Sequence, residues 1–137
     1  MLLPVKLPRN IVNQLLHHSQ QNPNSEICGL ISCKDDIPVR CYPINNVADK
    51  PQQLFALDPA QQIAAMRKMR EQHEQLFAIY HSHPSSPAIP SIIDLAQANY
   101  PDALYLIVSL RTRGVLEMRG FYLREKKIIE APLQITE

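Results

Sequence analysis

The chain of 137 residues carries 14 basic and 13 acidic residues, a net charge of +1, scattered rather than gathered into a stripe. That balance excludes the electrostatic footprint of a protein whose main task is to bind nucleic acid or an anionic membrane. No apolar run approaches the ~20 residues that cross a bilayer, and the N-terminal Met-Leu-Leu-Pro-Val-Lys lacks the long apolar region of a secretory signal.

The length fits one domain, residues 1–137, able to bury roughly two thirds of the surface its unfolded form exposes. Cys28, Cys33 and Cys41 are odd in number and match neither a Cys-x-x-Cys site nor a disulfide framework, so the cytoplasm is the expected compartment. Oligomeric state is not legible.

In chain order, Leu2–Lys6 reads as a short strand. Asn10 then caps a helix whose Ile11, Val12, Leu15 and Leu16 form one apolar stripe, ending near Pro23. Ile27–Cys33 and Val39–Ile44 read as a hairpin around Lys34-Asp35-Asp36. Asp58-Pro59-Ala60-Gln61 is a helix start, with Asp58 as cap, Pro59 first in the helix and Gln61 closing a capping box. That helix is predicted to run to about Glu74, with Ile63, Met66 and Met69 facing inward. Leu76–His83 is the next strand, and Pro84, Pro87 and Pro90 keep the following loop extended until Ser91 starts a short helix. Strands follow over Ala103–Leu110, Val115–Leu123 and Lys126–Ile135. His17, His18 and His73 read as surface helix residues and Arg124–Lys127 as a solvated turn. There is no repeat, low-complexity segment or flexible linker.

The chemistry concentrates in His81-Ser82-His83-Pro84 and the Ser91-Ile92-Ile93-Asp94 that follows. Histidines two apart on a strand leave the same face and can share one cation, while Ser82 points the other way. Asp94 is the natural third ligand. Three protein ligands with an open fourth position mark a hydrolytic zinc site rather than a closed structural one. Ser91-x-x-Asp94 is also an ordinary capping box, and the two readings are compatible. Zinc in such a site acidifies water and polarises a carbonyl, which points to hydrolysis of an amide or related acyl bond. The necessary proton acceptor is not chosen by spacing. Glu26, just before an apolar strand, is one candidate, against the plainer reading of an exposed charge at a strand start. Cys28 reads as a buried, inert thiol rather than a nucleophile.

With Glu26-Ile27-Cys28-Gly29-Leu30 upstream, His81-Ser82-His83-Pro84 and Ser91-Ile92-Ile93-Asp94 together, the chain resembles the JAMM family of zinc metallopeptidases, also called MPN-plus or JAB. The order of elements is similar along nearly the whole chain. The resemblance implies an α/β fold of the JAMM/MPN-like, cytidine deaminase-like class, a mixed β-sheet flanked by helices. It implies His81, His83 and Asp94 as Zn2+ ligands, Glu26 as general base and Ser91 as the donor that stabilises the oxyanion. Asn46, at the end of the second hairpin strand, is expected near the site.

Two departures stand out. Many relatives have a glycine where this chain has Cys33, and the chain has no spare length for the insertions by which eukaryotic members hold two ubiquitins. It is similar instead to minimal prokaryotic members, some of which act on small ubiquitin-like sulfur-carrier proteins. The implied partner is therefore the C-terminal tail of such a carrier, cut after Gly-Gly and entering beside a sheet edge. Two alternatives share parts of the motif. One is a catalytically silent MPN-type scaffold, which typically loses ligands that this chain keeps. The other is a RadC-like protein, disfavoured by the Glu-x-Cys-Gly element and the neutral charge balance.

Overall fold

The computed structural model describes residues 2–137. Its elements are β1 (Val5–Pro8), α1 (Arg9–Gln21), β2 (Cys28–Lys34), β3 (Ile37–Ile44), α2 (Pro59–Glu71), β4 (Gln75–His83), α3 (Ile92–Gln97), β5 (Leu104–Ser109), β6 (Glu117–Arg124), β7 (Lys127–Ala131) and β8 (Leu133–Thr136). Six strands form one mixed sheet in the order β3-β2-β4-β5-β6-β7, and β1 pairs with β8 in a separate parallel ribbon. Within the large sheet β4 and β5 are parallel and every other pair is antiparallel. No helix among the described residues is long and apolar enough to cross a membrane.

The centre of the sheet is covered on both faces, so β5 reads Leu-Tyr-Leu-Ile-Val-Ser and is buried at every position. One face packs on α1: Ile11, Val12 and Leu15 meet Ile31, Ala78, Tyr80, Leu106 and Val108. The other packs under α2, where Ala65 and Met69 meet Leu30, Ile79, Tyr105, Ile107 and Phe121. The pleat assigns successive residues of β4 to these two cores, Ala78 and Tyr80 to the first and Ile79 to the second.

Several boundaries differ from the sequence expectation. The first strand lies at Val5–Pro8 rather than Leu2–Lys6, because its partner is β8 and the Val5 N–H donates to the Pro132 carbonyl at 2.8 Å. The helix then begins at Arg9 straight after Pro8, leaving Asn10 inside its first turn and without a capping role. The predicted strand Lys126–Ile135 is two strands. Pro132 has no N–H for the ladder, and there the chain leaves β6 to pair with β1. Val115 and Leu116 stay exposed in the preceding loop, and pairing starts at Glu117 opposite Ser109.

At α2, Asp58 caps as expected by accepting from the Ala60 N–H, but the Gln61 side chain accepts from the Asn45 N–H instead of closing a capping box. Ile63 faces outward, 61% exposed, because the buried edge of the helix is Ala65 and Met69. The helix stops at Glu71, short of Glu74. His73 adopts φ 59°, and the His73 and Glu74 N–H groups donate back to Arg70 and Met69, a Schellman ending that usually employs glycine. Glu74 is thereby placed under the sheet edge, its side chain fully shielded, accepting from Arg40 at 3.2 Å and from the Tyr42 hydroxyl at 2.9 Å.

At the point where the family pattern has glycine, β2 runs on through buried Cys33 with a register shift at Ser32/Cys33, and the turn falls to Asp35 and Asp36 at φ 50° and 64°. Gly29 is required for a different reason. A Cβ there would run into the Tyr80 ring and the Tyr42 carbonyl, and Tyr80 is 1% exposed with its hydroxyl hydrogen-bonded to His18 Nδ1 at 2.9 Å. Gly29→Ala is expected to destabilise the fold by about 1–3 kcal/mol through overpacking. Chemical denaturation would read this as a lower midpoint at unchanged slope, and an unchanged midpoint would mean that the Tyr80 ring yields freely.

Candidate metal centre and active site

The site is assembled at the end of β4, where the pleat puts His81 and His83 on the α2 face and Ser82 on the α1 face. Ser82 is fully buried, and its hydroxyl accepts from the Ile27 N–H at 2.9 Å while its own N–H donates to the Ile27 carbonyl. The same short stretch that presents the histidines thus clamps the residue next to Glu26. Glu26 is further fixed by its N–H, which donates to Pro51, and by its carbonyl, which accepts from Asn46 Nδ2 at 2.9 Å. The plain reading of Glu26 as an exposed charge does not hold: it is 5% exposed.

His81 Nε2, His83 Nε2 and Asp94 Oδ2 form a triangle with sides of 3.2, 3.2 and 3.3 Å. Ligand atoms held ~2.0–2.1 Å from a tetrahedral zinc lie about 3.3 Å apart, so the triangle matches one face of such a site. His83 Nδ1 donates to the Pro87 carbonyl at 2.7 Å, which leaves Nε2 as the lone-pair nitrogen when the ring is neutral. A Glu26 carboxylate oxygen lies with the two histidine nitrogens inside a 4.8 Å cluster that could hold a metal ion. Glu26 Oε1 and His81 Nδ1 are buried without a hydrogen-bond partner. An unmet buried carboxylate oxygen is costly, and a cation with its water would relieve that cost. The donor set therefore fits a divalent metal such as zinc.

Asp94 is brought in by the helix start. Ser91 Oγ accepts from the Asp94 N–H at 3.0 Å and the Ser91 N–H donates to Asp94 Oδ2 at 2.9 Å, a complete capping box. The capping oxygen is the same one that faces the histidines. Because Ser91 Oγ accepts within the box, its O–H proton remains free to be donated outward, and the residue is exposed. The proline loop between β4 and α3 is tied at three points: Pro87 by His83, Ser86 by the Ser109 hydroxyl at 2.6 Å, and the Ala88 N–H by Glu117 at 3.2 Å.

Burial raises the Glu26 carboxyl to about 7, with His83 opposing and Asp94 adding to the shift. Burial also works to raise Asp94, but hydrogen bonds from His81 and from His83 outweigh it and hold that carboxyl well below its usual range; against the pull of burial, Asp94 and the Pro87 carbonyl raise His83, so without a metal its protonated ring donates from both nitrogens. His81 is driven down by burial and is neutral at physiological pH, the form that binds a metal. Burial pushes the Cys28 thiol up to about 12, Glu26 adding to the shift, which keeps it protonated and unreactive.

Other neighbours were silent in the sequence. Phe55 stacks on the His81 ring with centroids 4.2 Å apart, from a loop that no periodicity links to the motif. Asn46 does lie beside the site, and its side chain makes four hydrogen bonds, to Glu26 and Leu54 carbonyls and from Ala48 and Ala56 N–H groups. It organises the loop that carries Phe55. His18 is half-buried against Tyr80 rather than a surface residue, whereas His17 and His73 are exposed. Arg124 is not simply solvated, since it donates to the Pro101 carbonyl at 2.7 Å and lies over the Tyr122 ring.

Residues 8–121 match the family model described as prokaryotic homologs of the JAB domain. The CysO-cysteine peptidase of Mycobacterium tuberculosis is 31% identical over 130 residues, spanning 93% of this chain and 88% of that protein. The solution structure of protein DSY2949 from Desulfitobacterium hafniense superposes with a TM-score of 0.86 at 30% identity, covering 96% of this chain and 92% of that one. AF2198, a JAB1/MPN domain protein from Archaeoglobus fulgidus, shares the fold with a TM-score of 0.64 at 18% identity over 97% of both chains. By motif, fold and extent of match, this chain belongs to the prokaryotic JAB, or JAMM, family.

Proposed function

We propose that the chain is a zinc-dependent peptidase or isopeptidase, one catalytic domain over residues 1–137, that hydrolyses the amide bond after Gly-Gly at the C-terminal tail of a ubiquitin-like or sulfur-carrier protein. The observation that carries this reading is the convergence of His81, His83 and Asp94 within 3.3 Å, with the buried Glu26 carboxylate alongside.

His81, His83 and Asp94 would hold the zinc, whose contribution is Lewis acidity toward water and toward the scissile carbonyl. Glu26 takes the proton of the attacking water and returns it to the departing amine nitrogen, a role for which its carboxylate is placed beside the two histidines. As the C–O bond forms and the C–N bond breaks, Ser91 donates its hydroxyl proton in a hydrogen bond to the developing oxyanion. The backbone ties on Glu26, Ser82 and Asn46 keep the base in place without reorganisation. Beside His81 and Asp94 runs a cleft of about 190 Å³ walled by Phe55, Leu57, Ile79 and Tyr105, narrow enough to favour a tail of small residues. The substrate assignment is supported by that cleft, by the likeness to minimal prokaryotic family members and by the relative named CysO-cysteine peptidase.

Three outcomes are expected. Mass spectrometry should find near one zinc per wild-type chain and little in His81→Ala or Asp94→Asn, the latter retaining an acceptor for the Ser91 N–H. Absence of zinc from wild type after reconstitution would sink the hydrolase reading in favour of a binding scaffold. Glu26→Gln should keep the zinc yet lose about 10²–10⁴-fold in turnover of a Gly-Gly-tailed carrier, and full activity would show that another group is the base. Ser91→Ala should lower kcat by about 10²–10³-fold and also cost about 1 kcal/mol of stability through the lost cap. A stability loss with unchanged kcat would leave Ser91 as a cap only.

A further inference from the structure

Three residues stand side by side across the sheet where β4 and β5 end and β6 begins: His83 is opposite Ser109, and Ser109 is opposite Glu117. Partners in register point to the same face, and each of the three side chains reaches the proline loop. The Ser109 hydroxyl donates to the Ser86 carbonyl at 2.6 Å, His83 Nδ1 donates to the Pro87 carbonyl at 2.7 Å, and Glu117 Oε2 accepts from the Ala88 N–H at 3.2 Å. The last two bonds fall on the two ends of one peptide group. We infer that Glu117 is a positioning residue for His83, acting through the Pro87–Ala88 peptide so that carboxylate, peptide and imidazole form one hydrogen-bonded series. Its bearing on metal affinity rests on the reading of His83 as a zinc ligand.

Distance gives the peptide its part. Glu117 lies two strands from His83, about 10 Å at the usual strand spacing, and the peptide spans that gap. In a planar amide the N–H and the C=O share one electron system. An anion that accepts from the N–H pushes charge onto the oxygen, which strengthens the bond that the oxygen accepts at the other end. A firmer bond from Nδ1 fixes the ring plane and makes Nε2 more basic toward a metal, the effect a carboxylate has when it touches a ligating histidine directly.

The surroundings keep the series intact. Ala88 is fully buried, so water does not compete for its N–H. The Pro87 oxygen also accepts from the Ile89 N–H at 2.8 Å, which together with the His83 bond fills its two lone pairs. Glu117 divides its oxygens, Oε2 for Ala88 and Oε1 for Arg111 Nε at 2.9 Å. The Ala88 bond leads in lowering the Glu117 carboxyl, against burial, with Arg111 and Arg119 adding to the effect, so the group is ionised at neutral pH. His81 has no counterpart to this arrangement, its Nδ1 being buried without a partner. A change at Glu117 is therefore felt at His83 and not at His81.

The test is proton–nitrogen NMR of the His83 ring in the metal-free and the zinc-loaded chain, with zinc affinity measured by competition against a chromophoric chelator. Glu117→Gln keeps an acceptor for the Ala88 N–H and removes the charge. It should move the His83 Nδ1 proton upfield in both forms, leave the carbon-bound ring protons of His81 in place, and weaken zinc binding by about 10-fold. Ser109→Ala cuts the adjacent tie to the loop but not the series through the peptide, and should leave the His83 Nδ1 proton where it is. An unmoved proton in Glu117→Gln, or undiminished zinc affinity in that variant, would overturn the assignment. An equal shift in Ser109→Ala would do so too, by showing that the position of the loop alone sets the bond. Should wild type bind no zinc, the hydrolytic reading fails, and the ring proton of the metal-free chain still decides whether Glu117 acts on His83.

Discussion

The pleat of one central strand governs this site. β4 lies between β2 and β5 with both faces covered, so each residue of Ile79-Tyr80-His81-Ser82-His83 is committed to a side with no freedom to slip. A shift of one residue would turn the histidines into the α1 core and Tyr80 toward Asp94. It would also break the pair of hydrogen bonds that Ser82 and Ile27 exchange. The placement of the histidines and the packing of the core are therefore the same constraint seen from two faces of a strand. Gly29 belongs to it as well, since the close approach of Tyr80 to β2 is possible only without a side chain there.

Asp94 shows how a second element is recruited cheaply. A capping box needs a carboxylate at the third helical position pointing back at the cap, and that orientation aims Oδ2 at the end of β4. The structural and functional readings of Ser91-x-x-Asp94 are consequently not rivals. The box orients Asp94, frees the Ser91 proton for an external acceptor, and sets α3 beside the cleft. A six-residue helix has little stability of its own. The ties from Ser109 and Glu117 to the preceding proline loop hold it where packing alone could not.

The parts legible in the sequence were those encoded by local periodicity and by short-range spacing: the His-x-His strand, the Ser91 helix start, the hairpin around Asp35-Asp36 and the Asp58 cap. What was not legible depends on contacts distant in sequence. The split at Pro132 is decided by β1, more than a hundred residues away, which offers β8 a partner that β6 cannot. The end of α2 depends on His73 entering the left-handed region, where histidine gives no advance signal, and on Glu74 finding Arg40 and Tyr42. Ile63 fits the helical stripe but not the sheet beneath it. Phe55 and the four-bond role of Asn46 sit in a loop without periodicity, and only their neighbours give them meaning.

The loop of residues 45–58 contributes to the site from outside the His-x-His motif. Asn46 anchors it at both ends of its side chain, an isolated bridge joins Asn46 to Leu57, and Phe55 is laid flat on His81. A stacked aromatic shields the ring from water on one face and restricts its rotation, so His81 can stay neutral and correctly turned although its Nδ1 has no hydrogen-bond partner. The usual device for orienting a metal-binding histidine is a hydrogen bond to the remote nitrogen, and His83 has one in Pro87. His81 has burial and stacking in its place. The two histidines of one strand are thus oriented by different means, His83 through the proline loop and His81 through the loop of residues 45–58, so movement in either loop would act on a single histidine first.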